Sequence, residues 1–216
     1  MNLKRLFLTG YILFFVCACA GAQPDWELKL DKDGIKVYTK KTDKSPFKAV
    51  KTVCAVNSSL TSLTAVLLDI KNSADWVYAT KTISLLKQLS VSELVYYSEI
   101  QVPWPVVNRD FIVQLIVSQD PKTKTVSVVG NNKPDYLPAN TNIIRIQHSY
   151  SKWLITPLPN GQVKIEYILE VDPGGTVPAW LINMFATKGP FETFKKLREE
   201  VKKPAYQHAS FAFIKE

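Results

Sequence analysis

Apolar and polar residues alternate over long stretches of the chain, and this alternation predicts β-strands. Over residues 163–171 every second residue is apolar or aromatic, and Lys164, Glu166 and Glu170 lie among the intervening residues. Residues 94–102 alternate in the same way. Successive side chains of a strand point to opposite faces, so both segments are expected to bury one face and expose the other.

Helical spacing predicts three helices in the same chain. Leu60, Leu63 and Leu67 recur at intervals of three and four residues after Ser59, a favourable N-cap. A short helix is expected over residues 70–76, and a long one follows Pro178. Strands are predicted at residues 35–40, 47–56, 83–89, 94–102, 111–117, 125–129, 143–155 and 162–171. The predicted order is therefore β-β-α-α-β-β-β-β-β-β-α.

The long helix near the C-terminus is the element that the rest of the chain must cover. The turn Asp172-Pro173-Gly174-Gly175 precedes it and Pro204 ends it, because proline cannot continue a helix. Its apolar residues form one stripe, and lysine, arginine and glutamate occupy the other side. Gly189-Pro190 predicts a bend. Residues 181–188 are expected to face a ligand, and residues 194–201 to face the core.

Together these elements predict an α+β fold in one domain. Antiparallel strands joined by short loops form a curved sheet, and the apolar face of the last strand needs the C-terminal helix to cover it. We expect the domain to span residues 23–216, with its core at about 26–203 and a short C-terminal tail. No internal repeat and no second domain is predicted.

Composition and charge exclude some functions. Of the 216 residues, 46% are hydrophobic and 21% charged, as in an ordinary globular protein. The formal net charge of +8 suits an anionic membrane surface. No dense arginine cluster or nucleic-acid-binding motif is present, so nucleic acid is not an expected partner. Two distant histidines and few cysteines do not supply a metal site, and no cofactor motif is found.

The N-terminus predicts export from the cytoplasm. Residues 1–22 combine Lys4 and Arg5, a short apolar segment and the small residues Ala20-Gly21-Ala22, the pattern of a cleaved signal peptide. Lipoprotein processing, with lipid attached to Cys19, is the alternative. We expect a periplasmic or cell-envelope protein. Cys54 lies in an apolar strand and is expected to be a buried small hydrophobe.

Four local patterns resemble the START family, the steroidogenic-acute-regulatory-related lipid-transfer domains. The resemblance covers residues 26–203. The patterns, in chain order, are Pro103-Trp104-Pro105 followed by Arg109-Asp110-Phe111; Trp153-x-Ile155-x-Pro157; Gly161 before the last strand; and Asp172-Pro173-Gly174-Gly175-x-x-Pro178-x-Trp180-Leu181-x-Asn183.

This resemblance implies a helix-grip fold, in which the curved antiparallel sheet wraps around the long C-terminal helix. An internal hydrophobic tunnel would then hold one lipid or sterol-like molecule. The helix and a loop at residues 119–124 would act as the lid. Inward-facing residues are the expected ligand-binding site: Tyr96, Ser98, Ile100, Phe111, Val113, Ile146, His148, Trp153, Tyr167, Leu181, Met184, Phe185 and Lys188.

The leading hypothesis is a monomeric, non-enzymatic protein that binds a lipid and carries or senses it, with transient contact to a membrane. No catalytic residue is assigned. The alternative is a cyclase or hydrolase acting on a hydrophobic substrate, with Tyr96, His148 or Tyr167 as acid–base groups. A third hypothesis, a signalling domain gated by lipid, ranks last. Arg109 is expected to bond a carboxylate or loop carbonyls, and less favourably a lipid head group.

Overall fold

One strongly curved antiparallel sheet and one C-terminal helix make up most of the fold. A computed structural model describes residues 26–42 and 45–216. The expected signal peptide at residues 1–22, including Cys19, lies outside the described residues. No helix in the part of the chain that the structure describes is both long and apolar enough to cross a membrane.

The sheet follows the order β1-β2-β3-β10-β9-β7-β6-β5-β4, and the pairs along this path are antiparallel. Within the described residues its strands are β1 (Glu27–Lys32), β2 (Ile35–Thr42), β3 (Ser45–Asn57), β4 (Thr80–Ser90), β5 (Glu93–Ile100), β6 (Arg109–Gln119), β7 (Val126–Asn132), β8 (Ile144–Arg145), β9 (His148–Leu158) and β10 (Gln162–Asp172). Strand β8 lies off the path and pairs with β6 in parallel.

Two strands differ from the sequence prediction, each for a physical reason. Strand β1 was not predicted because five of its six residues are exposed, so it carries little apolar alternation at the sheet edge. The single strand expected at residues 143–155 is instead split into β8 and β9. The chain changes partner between them: Ile144 pairs with Arg109 of β6, whereas His148 pairs with Asp172 of β10.

The helices follow the predicted order with short additions. They are α1 (Leu60–Leu68), α2 (Ala179–Asn183), α3 (Gly189–Glu200) and α4 (Pro204–Gln207), with 3₁₀ turns at Ile70–Asp75, Pro134–Tyr136 and Pro159–Gly161 and a π-helical turn at Met184–Lys188. Ser59 caps α1 as predicted, because its Oγ accepts the Ser62 N–H at 2.9 Å.

Helices α2 and α3 form one helical run with the π-turn between them. The Gly189 N–H donates to the Met184 carbonyl five residues earlier, and Pro190 has no N–H to form the next α-helical bond. Gly189 keeps helical backbone angles (φ −56°, ψ −55°). The irregularity expected at Gly189-Pro190 is therefore a widened turn just before it. A Cβ at Gly189 would lie 3.3 Å from the Tyr78 ring.

The hydrophobic core lies where α3 enters the concave face of the sheet. Phe194, Leu197 and Val201 are fully buried, as the helical stripe predicted. Trp153 of β9 stacks on Phe194 with ring centroids 5.2 Å apart. Cys54 is 4% exposed, and burial raises the pKa of its thiol to about 11.

The C-terminal tail also packs on the core, which extends past residue 203. Tyr206 and Ile214 are buried there. The Glu216 carboxylate accepts the backbone N–H groups of Leu60 and Thr61 at 2.9 and 2.8 Å, so it caps the start of α1. The Gln119 side chain both donates to and accepts from the Lys215 backbone, at 2.7 and 2.8 Å.

Candidate functional site

A cavity of about 620 Å³ lies between the concave face of the sheet and the α2–α3 helical run. The strands supply its walls because their alternating residues face inward, and the helical run closes one side. Most of the lining is apolar or aromatic, from Val50 of β3 round to Ile83 of β4. Such a volume and lining are typical of sites for small hydrophobic ligands.

The structure brings ten of the thirteen predicted site residues together around this cavity. They are Tyr96, Ser98, Ile100, Phe111, Val113, Ile146, Trp153, Tyr167, Leu181 and Phe185. Seven of these ten belong to strands whose period-two alternation was visible in the sequence. That alternation is why these seven residues were predicted to face inward.

Three predicted residues lie outside the cavity lining: His148, Met184 and Lys188. His148 is exposed and pairs with Asp172 at the end of the sheet, where β9 begins. Met184 and Lys188 had been placed by regular α-helical spacing from Leu181. The π-turn widens this part of the helix, so Met184 is half-buried away from the lining and Lys188 is exposed.

The expected lid loop at residues 119–124 also contributes nothing to the lining. It follows β6 at the opposite end of the sheet from α2. There Gln119 is bound to the backbone of Lys215 in the tail.

An aromatic cluster separates the cavity from the core. Trp153 contacts Tyr167 with ring centroids 4.3 Å apart, and Trp76 meets Trp153 edge-on at 6.4 Å. Phe194 of α3 completes the cluster. Offset and edge-on arrangements of this kind stabilise aromatic pairs beyond simple burial. The cluster fixes the floor of the cavity.

Several polar groups in the lining have no partner. The Thr39 Oγ1, Trp76 Nε1 and Thr80 Oγ1 atoms are buried and form no hydrogen bond with any described residue. Unpaired buried polar atoms are costly, so they favour a ligand that supplies hydrogen bonds. Local sequence pattern does not single out Thr39, Thr80 or Trp76 as hydrogen-bonding groups of a site.

The hydroxyls of Tyr96 and Tyr167, two of the tyrosines in the lining, are neutral near pH 7. Burial raises the pKa of Tyr96 to about 12 and raises that of Tyr167 as well. Neither group is therefore suited to act as a general base. In the described ranges, no three His, Cys, Asp or Glu side chains cluster as metal ligands would.

Arg109 and Asp110 act separately, as adjacent residues of a strand must. Arg109 lines the cavity and donates to the Val107 carbonyl and, at 3.4 Å each, to the carbonyls of Pro173 and Gly174. The expected bonds to loop carbonyls are present. Burial lowers the pKa of Arg109.

Asp110 instead forms a buried ion pair. Arg145 Nε and Nη2 lie 2.7 and 3.0 Å from its two carboxylate oxygens. Arg145 also donates to the carbonyls of Pro134 and Leu137, at 2.6 and 3.0 Å. The pair therefore ties residues 134–138 to the start of β6.

We call one end of the sheet the mouth end. It comprises the start of β3, β6 and β9 and the end of β5 and β10, as the antiparallel registers require. Two exposed tryptophans follow strands that end there. Trp104 lies after β5 and is 90% exposed, and Trp180 lies in α2 and is 48% exposed.

Known proteins are similar to this chain in sequence and in architecture. Residues 15–206 match the family model of the START domain. "Uncharacterized protein PA1579" of Pseudomonas aeruginosa is 32% identical over 204 residues, covering 94% of this chain and 98% of that protein. Phosphatidylcholine transfer protein of Bos taurus is 25% identical over 169 residues, covering 76% of this chain and 78% of that protein.

A solved structure gives the same result for the fold. The STAR-related lipid transfer protein of Xanthomonas axonopodis superposes with a TM-score of 0.75 at 29% identity, covering 82% of this chain and 99% of that one. The curved sheet and the C-terminal helix are thus shared with this STAR-related lipid transfer protein. This chain belongs to the START domain family.

Proposed function

We propose that the protein binds a single lipid in the 620 Å³ cavity and transfers it between membranes or senses it. The observation that carries the proposal is the cavity itself, with its apolar walls and its few unpaired hydrogen-bonding groups. The relatives named as phosphatidylcholine transfer proteins and STAR-related lipid transfer proteins support the same function.

The proposed activity is binding without catalysis. Of the three acid–base candidates of the enzymatic alternative, His148 lies outside the lining, and burial keeps Tyr96 and Tyr167 protonated. We therefore assign these tyrosines to hydrogen bonds with the ligand. Retained lipid should leave the protein chemically unchanged, and mass measurement of the lipid before and after incubation checks this.

We place this activity in the cell envelope, with transient docking of the monomer on a membrane. Exposed Trp104 and Trp180 at the mouth end support docking there, because indole rings favour the membrane–water interface. Trp104→Ala is expected to slow lipid transfer between vesicles while leaving the lipid content of the purified protein unchanged. An unchanged transfer rate would contradict docking through Trp104.

A helix substitution tests cavity binding directly. Ala186 lies in the π-turn and lines the cavity, whereas its neighbour Met184 does not. Ala186→Trp places an indole in the cavity and is expected to lower the retained lipid by at least about fivefold, measured by native mass spectrometry. Met184→Trp makes a similar change outside the lining and is the matched control.

Circular dichroism confirms that both variants are folded before lipid is counted. Equal lipid in both variants and the parent protein would contradict binding in this cavity. Loss of lipid from Met184→Trp alone would restore Met184 as a site residue and require a different position for the ligand.

A further inference from the structure

The charged side chains in the described part of the cavity lining are all positive. Among the described residues, the lining includes Lys29, Lys48 and Arg109 and no aspartate or glutamate. A cavity lined by cations without carboxylates favours an anionic group on its occupant through Coulomb attraction, which acts from the exposed Lys29 and Lys48 and from the buried Arg109.

The three cations lie at the mouth end of the sheet. Arg109 opens β6, and Lys48 lies in β3 just before Val50, which pairs with Leu169 near the end of β10. Lys29 lies in β1, where a bulge between Leu28 and Leu30 shifts the register. The three cationic residues thus lie at the same end of the sheet, and the rest of the lining is mostly apolar.

Among the described residues, the two lysines share Glu27 as a weak counter-ion. Glu27 bonds Lys29 through one carboxylate oxygen, and its other oxygen lies 4.0 Å from Lys48 Nζ. The Glu27 side chain is 60% exposed, so its ion pairs are worth little. One positive charge stays in excess over Glu27, and a ligand anion can displace this carboxylate.

A buried hydroxyl lies beside these lysines. Thr39 pairs with Glu27 in the β1–β2 register and with Val50 in the β2–β3 register, which places it on the same face as both. The residue is 3% exposed, lines the cavity, and its Oγ1 has no hydrogen-bond partner in the described residues. It is a ready donor to an anionic oxygen.

The described acidic residues of β10 do not cancel these charges. Glu170 and Asp172 of β10 alternate with Leu169 and Val171, which line the cavity, so the two carboxylates point to the outer face. Arg109 is buried, and its partners among the described residues are backbone carbonyls, which do not neutralise its charge.

We propose that Lys29, Lys48 and Thr39 form a head-group site for an anionic lipid whose acyl chains fill the cavity. The head group is a phosphodiester or a carboxylate without a cationic substituent. A choline group would bring a further positive charge to a mouth that already carries an excess. This inference rests on the proposed function and names the ligand class of the same cavity.

Competition between two lipids tests the head-group site. The purified full chain is incubated with vesicles of phosphatidylglycerol and phosphatidylcholine in equal amounts with identical acyl chains. The protein is then re-isolated, and its bound lipid is quantified by mass spectrometry. We expect phosphatidylglycerol to exceed phosphatidylcholine by about fivefold or more, and the excess to shrink in 1 M salt. A separate incubation with oleate distinguishes a carboxylate head group from a phosphodiester.

Matched variants isolate the two lysines. The double variant Lys29→Met with Lys48→Met is expected to bring the ratio of the two lipids close to one. Lys36→Met with Lys164→Met removes the same charge outside the cavity lining, where each lysine also has a carboxylate partner, and is expected to keep the preference. Glu27→Gln removes the competing carboxylate and is expected to increase the preference.

The outcomes separate this inference from the proposed function. Retained phosphatidylcholine equal to phosphatidylglycerol in the parent, or a preference unchanged in the Lys29 and Lys48 double variant, overturns the anionic head-group site and leaves lipid binding intact. Retention of no lipid at all, oleate included, overturns both. Preference for phosphatidylglycerol or for oleate, lost in the double variant, supports the site and identifies the type of anion.

Discussion

Removing the charge of Asp110 should destabilise the fold more than most single substitutions. Asp110→Asn keeps the size of the side chain and leaves the Arg145 guanidinium buried without a carboxylate. The two side chains are 1% and 5% exposed, and the bidentate contact has distances of 2.7 and 3.0 Å. Breaking such a buried pair costs about 3–5 kcal/mol.

The lower end of that range applies here. Arg145 still donates to the carbonyls of Pro134 and Leu137 in the variant, so its guanidinium keeps part of its hydrogen bonding. We expect the free energy of unfolding to fall by about 3 kcal/mol. For a domain of this size the loss corresponds to a fall in Tm of about 6–12 °C.

Urea unfolding followed by circular dichroism measures the change, with the m-value as a check on the unfolded state. The double variant Asp110→Leu with Arg145→Met removes both charges and should lose much less than the sum of the two single changes. If Asp110→Asn remains within about 1 kcal/mol of the parent, the ion pair is not the anchor of residues 134–138.

Two further predictions concern the buried thiol and the N-terminus. Burial raises the pKa of Cys54 from 9.0 to about 11, so the unfolded chain loses this proton at lower pH than the folded one. The stabilisation that comes from this raised pKa of Cys54 is complete below about pH 9 and is lost toward pH 11. The free energy of unfolding should therefore fall by about 1.4 kcal/mol more per pH unit in the parent than in Cys54→Ala across that interval; equal slopes would contradict it. Mass spectrometry of the mature protein is expected to find Gln23 at the N-terminus, whereas a lipid-modified Cys19 would contradict simple cleavage.

The alternation of apolar and polar residues along the strands was the basis for predicting the walls of the cavity. Each inward residue of β5 and β10 could be assigned because one face of these strands had to be buried. The same signal is weak at the sheet edge, and β1 was missed because its residues are mostly exposed. Lys29 and Thr39 were missed with it, since the role of each depends on β1 pairing with β2.

Regular helical spacing failed where the helix itself is irregular. Met184 and Lys188 were placed on the line through Leu181, as an unbroken α-helix requires. The missing N–H of Pro190 indicates an irregular helix. It does not indicate that the irregularity is a π-turn at Met184–Lys188, directly before Gly189. Pairings between distant segments, such as Asp110 with Arg145, depend on which strands become neighbours, and local pattern does not encode that.

The tail contacts of Gln119 and Glu216 help to hold one end of the C-terminal helical run in place. At the α3 end of this run, Phe194, Leu197 and Val201 are fully buried. The tail that follows them is bound to both α1 and β6. The segment from α2 through the π-turn forms the side of the cavity and is held by fewer contacts, among them buried Leu181 and the edge-on packing of Phe185 on Tyr78. We expect an opening that admits a lipid to move this segment while α3 stays in place, so that lipid exchange leaves the core undisturbed.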